Sequence, residues 1–213
     1  MQIAVRADEL QKKAWLEKGF EGMIVIEWIG AHESLKNIQA DAYFDLLFEE
    51  DAPDLNEYPA DKILFINSIS ITAAALQRTN IIRLNAWDVF LNNDIIEVAA
   101  ANEEDKLKAE AVLKTLGWKY IWAPDEPGMI AARVISMIIN EAYYGLQDKI
   151  STKEDIDIAM KLGTNYPYGP FEWAQKIGLK NIYRLLKKLS KTSERYTVAA
   201  LLEEEVRNMS YEI

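Results

Sequence analysis

The sequence has no cysteine and a single histidine, His32, among 213 residues. Without cysteine there is no disulfide, no thiolate metal ligand and no cysteine nucleophile, and secretion gains no support. One histidine with no cysteine leaves zinc short of its ordinary ligands, and no metal site is expected. No run of Lys or Arg stands out, and 24 basic against 34 acidic residues give a net charge of −10. Nucleic acid and anionic membrane are therefore poor partners. No stretch of about 18 consecutive apolar residues is present, so no segment reads as membrane-spanning. The N-terminal MQIAVRADELQKK lacks a basic stretch followed by an apolar core, so no signal peptide is expected and the cytoplasm is the expected location.

What is present is a chain with 50% hydrophobic residues, enough for one large or two small cores. WAPDEPG near Ala123–Pro127 places two prolines and a glycine between unlike patterns and divides the chain into 1–123 and 127–213. Upstream, Gln2–Val5, Met23–Trp28, Ala42–Phe48, Lys62–Ile66, Ile81–Leu84, Ile95–Ala99 and Lys119–Trp122 read as strands, several nearly continuous in apolar residues. Helical stretches at Asp8–Lys18 and Glu103–Leu116 separate some of them, which implies a mostly parallel sheet with right-handed crossovers. Downstream, helical spacing runs from Met129 to Leu146. Ser151-Thr-Lys-Glu154 launches a helix that stops at Gly163, and helices follow from Phe171, over Leu179–Leu189 and over Val198–Met209.

Pro127-Gly128, Lys153-Glu-Asp-Ile-Asp157, Met160-Lys-Leu-Gly163 and Pro167-Tyr-Gly-Pro-Phe-Glu172 lie within a run, Pro127–Leu179, that resembles the C-terminal domain of the 3-hydroxyacyl-CoA dehydrogenases. Asn67-Ser-Ile-Ser-Ile-Thr72 and Ile82–Val98 are similar, by position, to that family's Ser-Ser-x-x-x-Thr and His-Phe-Phe-Asn-Pro segments. The resemblance implies an α/β fold. A reduced Rossmann-like, mostly parallel sheet would be followed by an all-α domain like the family's C-terminal one. It further implies a homodimer through the helical domain, an acyl-CoA ligand and NAD as the family cofactor.

The same resemblance assigns site residues. The family's catalytic His–Glu pair falls at Asn85 and Glu97, and its substrate contacts fall at Asn67 and Ser68. Glu27, at the end of the second strand, matches the acid that holds the adenosine ribose. An amide has no titratable nitrogen near neutral pH, so Asn85 can orient a hydroxyl but cannot take its proton. The family's substrate-holding Asn falls at Ala132, and the Asn of its Phe-Asn-Pro turn falls at Asp88. A dinucleotide loop needs glycines where the backbone approaches the diphosphate, and Val5-Arg6-Ala7-Asp8-Glu9-Leu10 has none. Between Glu27 and Asp41 stand thirteen residues, where the family carries a longer helical insertion.

These substitutions lead to a reading as a non-catalytic acyl-CoA-binding or assembly homologue, a pseudoenzyme of the fatty-acid oxidation oxidoreductase class without NAD binding. Two alternatives stand beside it. One is an active NAD-dependent 3-hydroxyacyl-CoA oxidoreductase with an altered site. The other is a partner subunit of a true dehydrogenase, for which Trp87, Trp118 and Trp122 would suit an interface, although core packing explains aromatics more often. His32 in Gly30-Ala-His-Glu-Ser34 reads as a solvated loop histidine, and Glu49-Glu50-Asp51 with Asp54 as a solvated acidic loop rather than a cation site.

Overall fold

The computed structural model describes every residue except 31, 32, 34, 36, 37, 52, 53 and 210–213, and only the backbone of residues 50 and 51. His32 thus lies outside the described residues. The chain falls into two compact units, Met1–Met129 and Ile130–Ile213.

In the first unit the order is β1 (Gln2–Arg6), α1 (Glu9–Lys18), β2 (Val25–Ile29), β3 (Ala42–Asp45), α2 (Phe48–Asp51), β4 (Ile63–Asn67), β5 (Ile81–Leu84), β6 (Ile95–Ala100), α3 (Glu103–Leu116) and β7 (Lys119–Trp122). The described strands form one sheet in the order β2-β1-β3-β4-β5-β6-β7. Pairing is parallel throughout except between β5 and β6. That exception has a local cause: residues 85–94 join these two strands without a helix, and a parallel return needs a crossover of a dozen residues or more. The sheet is mostly parallel and Rossmann-like, as its apolar runs imply.

Alternation along the strands splits the core into two layers. Ile3, Val5, Phe44, Phe65, Ile82, Leu84 and Val98 face one way, toward Trp15 of α1 and Leu113 and Leu116 of α3. Ala4, Tyr43, Leu64, Ile66 and Ile81 face the other, toward Phe48 and Tyr58. Trp15 is fully buried, with its ring centroid 4.9 Å from that of Phe44 and 4.4 Å from that of Trp118. Of the two roles open to the tryptophans, Trp87 and Trp118 take core packing. Trp118 belongs to the core and donates Nε1–H to the Gly19 carbonyl at 2.8 Å. Trp87 is also buried, and Trp122 packs half-buried on the same core with Nε1 donating to Glu110.

Some boundaries differ from the sequence expectation for visible reasons. The expected strand Ala42–Phe48 ends at Asp45, because the Asp45 carboxylate accepts the Leu47 amide and turns the chain into α2. β2 begins at Val25 and runs on to Ile29 rather than spanning Met23–Trp28.

The second unit is helical throughout its described residues: α4 (Ala131–Gln147), α5 (Lys153–Thr164), α6 (Pro170–Ile177), α7 (Leu179–Ser190) and α8 (Ala200–Asn208). α5 passes Gly163 and stops at Asn165, whose φ of 57° is left-handed. α6 starts at Pro170 itself, since proline's missing N–H costs nothing in the first turn. Asp157 of α5 accepts the amides of Phe171 and Glu172 at 2.8 and 3.2 Å and so caps α6. A Cβ on Gly169 would sit 2.3–2.4 Å from Asp157, which explains the glycine in Tyr-Gly-Pro-Phe.

Candidate functional site

Asn85 and Glu97 are twelve residues apart and meet because of the β5–β6 register. Leu84 pairs with Val98, so the next step outward sets Asn85 opposite Glu97. The Asn85 amide N–H donates to the Glu97 carbonyl at 3.1 Å, continuing the ladder. Side chains directly opposite in an antiparallel pair share a face. Here Asn85 Nδ2 lies 3.5 Å from Glu97 Oε2. Asn85 is buried and Glu97 half-buried. Asn85 Oδ1 accepts the Trp87 amide at 3.4 Å. The amide can orient an oxygen; the carboxylate is the titratable member of the pair.

Ser68 and Asn67 behave differently. Ser68 follows β4 and is fully buried, and its hydroxyl donates to the Ile71 carbonyl at 2.8 Å. Asn67 pairs in register with Leu84, one residue out of step with Asn85, and so belongs to the α1/α3 face. Its amide donates to the Leu46 carbonyl at 3.0 Å and its carbonyl accepts the Ala86 amide at 3.2 Å. Asn67 bridges the ends of β3 and β5 and does not join the Asn85–Glu97 pair.

The strand order reverses between β1 and β3, where α/β sheets open a crevice beyond their C-terminal strand ends. Arg6 and Asp45 end those two strands and form a buried ion pair at 3.0 Å. Tyr58 donates to the other Asp45 oxygen at 2.5 Å. Burial pushes the Asp45 carboxyl above its ordinary range despite the nearby guanidinium, and burial and then the Asp45 charge push the Tyr58 phenol up. At the start of α1, Asp8 accepts the Gln11 amide at 2.7 Å, and Gln11 Oε1 accepts the Asp8 amide at 3.2 Å, forming a capping box. Gln11 also donates to the Leu46 carbonyl at 2.9 Å. Asp88 is exposed, yet partial desolvation by its surroundings and then the charge of Asp8 shift its carboxyl above the usual range.

Glu27 is exposed in the middle of β2, beside Ala4, and lies 3.5 Å from the Gln2 amide nitrogen. It does not end the strand, which continues to Ile29 at the level of Arg6. Glu49, read from sequence as part of a solvated acidic loop, instead accepts the amides of Ile69 and Ser70, both at 2.6 Å. Among the described residues no group of three or more metal-ligating side chains forms. Reading residue types missed Arg6, Asp45 and Arg83. The available signal was a charge inside an otherwise apolar strand, as in Ala-Tyr-Phe-Asp-Leu-Leu-Phe and Ile-Ile-Arg-Leu.

A mostly parallel Rossmann-like sheet followed by a unit that is helical throughout its described residues matches the fold architecture of the 3-hydroxyacyl-CoA dehydrogenases. Residues 128–211 match the family described as 3-hydroxyacyl-CoA dehydrogenase, C-terminal domain. The chain is 32% identical over 189 residues to the 3-hydroxyadipyl-CoA dehydrogenase of Escherichia coli (strain K12), covering 86% of this chain and 39% of that protein. It is 30% identical over 157 residues to the 3-hydroxybutyryl-CoA dehydrogenase of Clostridioides difficile, covering 69% of this chain and 56% of that one. The crystal structure of FadB2 from M. tuberculosis matches the fold with a TM-score of 0.73 at 15% identity, over 97% of this chain and 93% of that one. Residues 128–211 thus match a 3-hydroxyacyl-CoA dehydrogenase C-terminal domain, and the chain as a whole is similar to CoA-linked dehydrogenases. It spans 39% and 56% of the length of these two sequence relatives. Among the described residues no helix is long and apolar enough to cross a membrane.

Proposed function

We propose that this chain binds 3-hydroxyacyl- or 3-ketoacyl-CoA thioesters at the ends of β4, β5 and β6, and that it holds the substrate's 3-oxygen without transferring its proton at ordinary enzyme rates. The single observation behind this is the Asn85–Glu97 pair, whose side chains meet at 3.5 Å. In that pair Asn85 donates to the oxygen and Glu97 orients Asn85. The oxidoreductase class comes from the relatives' names, and the fatty-acid setting and the homodimer through the helical domain come from the resemblance.

NAD is the family cofactor, and the residues at the β1–α1 turn do not fit its diphosphate. Asp8 already supplies an anion to the α1 N-terminus, and a second carboxylate there repels a phosphate. Arg6 is committed to Asp45.

A second reading is an active NAD-dependent 3-hydroxyacyl-CoA oxidoreductase with an altered site. The relatives favour it directly, because they are dehydrogenases by name. Under it Glu97 is the titratable group left to handle the proton. Calorimetric titration with acetoacetyl-CoA, free CoA and NADH separates the two. The first reading expects saturable binding of acetoacetyl-CoA, tighter than that of free CoA, and none of NADH. Micromolar saturation by NADH supports the second reading, and no binding of acetoacetyl-CoA contradicts the first.

A further inference from the structure

The segment from Ser68 to Ala74 follows β4, and charged side chains from three distant parts of the chain hold its backbone. Glu49 accepts the amides of Ile69 and Ser70 at 2.6 Å each. Asp125, beyond β7, accepts those of Ala73 and Ala74 at 2.9 Å each. Arg83 of β5 supplies the donors for the carbonyls: Nε to Ser68 O at 2.8 Å and Nη2 to Ile69 O at 2.9 Å. Its Nη1 donates to Asp125 Oδ1 at 2.9 Å and to the Glu126 carbonyl at 3.1 Å. The Gly128 amide returns to the Ile69 carbonyl at 2.8 Å.

Arg83 is fully buried, a place where a guanidinium is retained only if its donors are satisfied. A planar fork of fixed donors suits several carbonyls and one carboxylate; an ammonium cannot reproduce it. Arg83 stands two residues before Asn85, on the same face of β5. The side chain that fixes Ser68 therefore shares a face with the Asn85–Glu97 pair.

We infer that Arg83 is a positioning residue of this site. It does not contact substrate. It fixes the Ser68 loop against Asn85 and Glu97 and ties that loop to Asp125–Gly128, with Glu49 and Asp125 completing the clamp. This rests on the acyl-CoA reading of the site.

The test compares wild type with Arg83→Lys, Arg83→Met and the nearly isosteric Glu49→Gln and Asp125→Asn, which keep the experiment informative if an Arg83 variant fails to fold. Amide hydrogen exchange is expected to rise at Ile69, Ser70, Ala73, Ala74 and Gly128 while the β1 and β3 amides stay protected. In each folded variant the affinity for acetoacetyl-CoA is expected to fall about tenfold, with that for free CoA unchanged, because the clamp acts on the part of the site that holds the acyl oxygen. Unchanged exchange in the loop, or equal weakening toward acetoacetyl-CoA and free CoA, overturns the inference. If wild type binds neither ligand, the acyl-CoA reading fails, and the positioning role fails with it; the exchange pattern then decides separately whether the clamp exists.

Discussion

Asn85 stands opposite Glu97 across the β5–β6 pair, with its amide nitrogen 3.5 Å from the carboxylate. On the proposed reading the pair stands where a base and its orienting acid would, with an amide in the base's place. Placing an imidazole there gives a direct probe. In Asn85→His the histidine pKa, followed by NMR, is expected to be higher than in the double variant Asn85→His/Glu97→Gln, because the opposite charge favours the imidazolium. Equal values in the two variants would mean that the side chains do not interact.

Arg6 and Asp45 close the point where the strand order reverses. Removing Arg6 leaves a buried carboxylate without its countercharge, so Arg6→Met is expected to cost about 3–5 kcal/mol in urea unfolding. Tyr58→Phe removes one hydrogen bond to that carboxylate and is expected to cost about 1.5–3 kcal/mol. Arg6→Met/Asp45→Leu should recover most of the loss. A double variant as unstable as Arg6→Met alone would show that the pair is not the origin of the effect.

Much of the fold was legible because apolar runs and caps are local signals. β5 and β7 have the bounds their residues suggest, and α3 runs from Glu103 to Leu116 after its Asn102 cap. The Arg6–Asp45 pair was not legible. It joins residues 39 apart and exists only because β3 returns to the far side of β1, a consequence of strand order that no window of sequence carries. Arg83 was hidden for the same reason, since its partners follow β4 and β7. Trp87 and Trp118 stood open to core or interface, because a tryptophan's type says little about which side of the sheet it meets, and both are buried.

Asp88 gives a pH-dependent prediction. Its carboxyl is raised by partial desolvation and by Asp8, so its charged form costs stability in the fold, a small cost because the side chain is exposed and screened by solvent. That cost is absent below the unfolded carboxylate value of about 3.9 and is complete once the pH exceeds the raised folded value. Asp88→Asn is therefore expected to raise the thermal midpoint at pH 7, with the gain shrinking as the pH falls and vanishing below about pH 3.9. A gain that is independent of pH would contradict this origin.

Asp157 and Gly169 give a prediction confined to the helical unit. Asp157→Ala removes the cap on α6 and is expected to cost about 0.5–2 kcal/mol. Gly169→Ala forces a Cβ into Asp157 and is expected to cost about 1–3 kcal/mol. Chemical denaturation measures both, and a neutral Gly169→Ala would show that the close approach is relieved without cost.

The central claim is that Asn85 and Glu97 hold a substrate oxygen without supplying a general base. The direct measurement is steady-state reduction of acetoacetyl-CoA by the wild-type chain with saturating NADH. Losing a general base costs about a hundredfold or more, so turnover is expected to lie well below the ordinary range of about 1–1000 per second. Turnover within that range, abolished by Glu97→Gln, would contradict the account and establish Glu97 as the group that handles the proton.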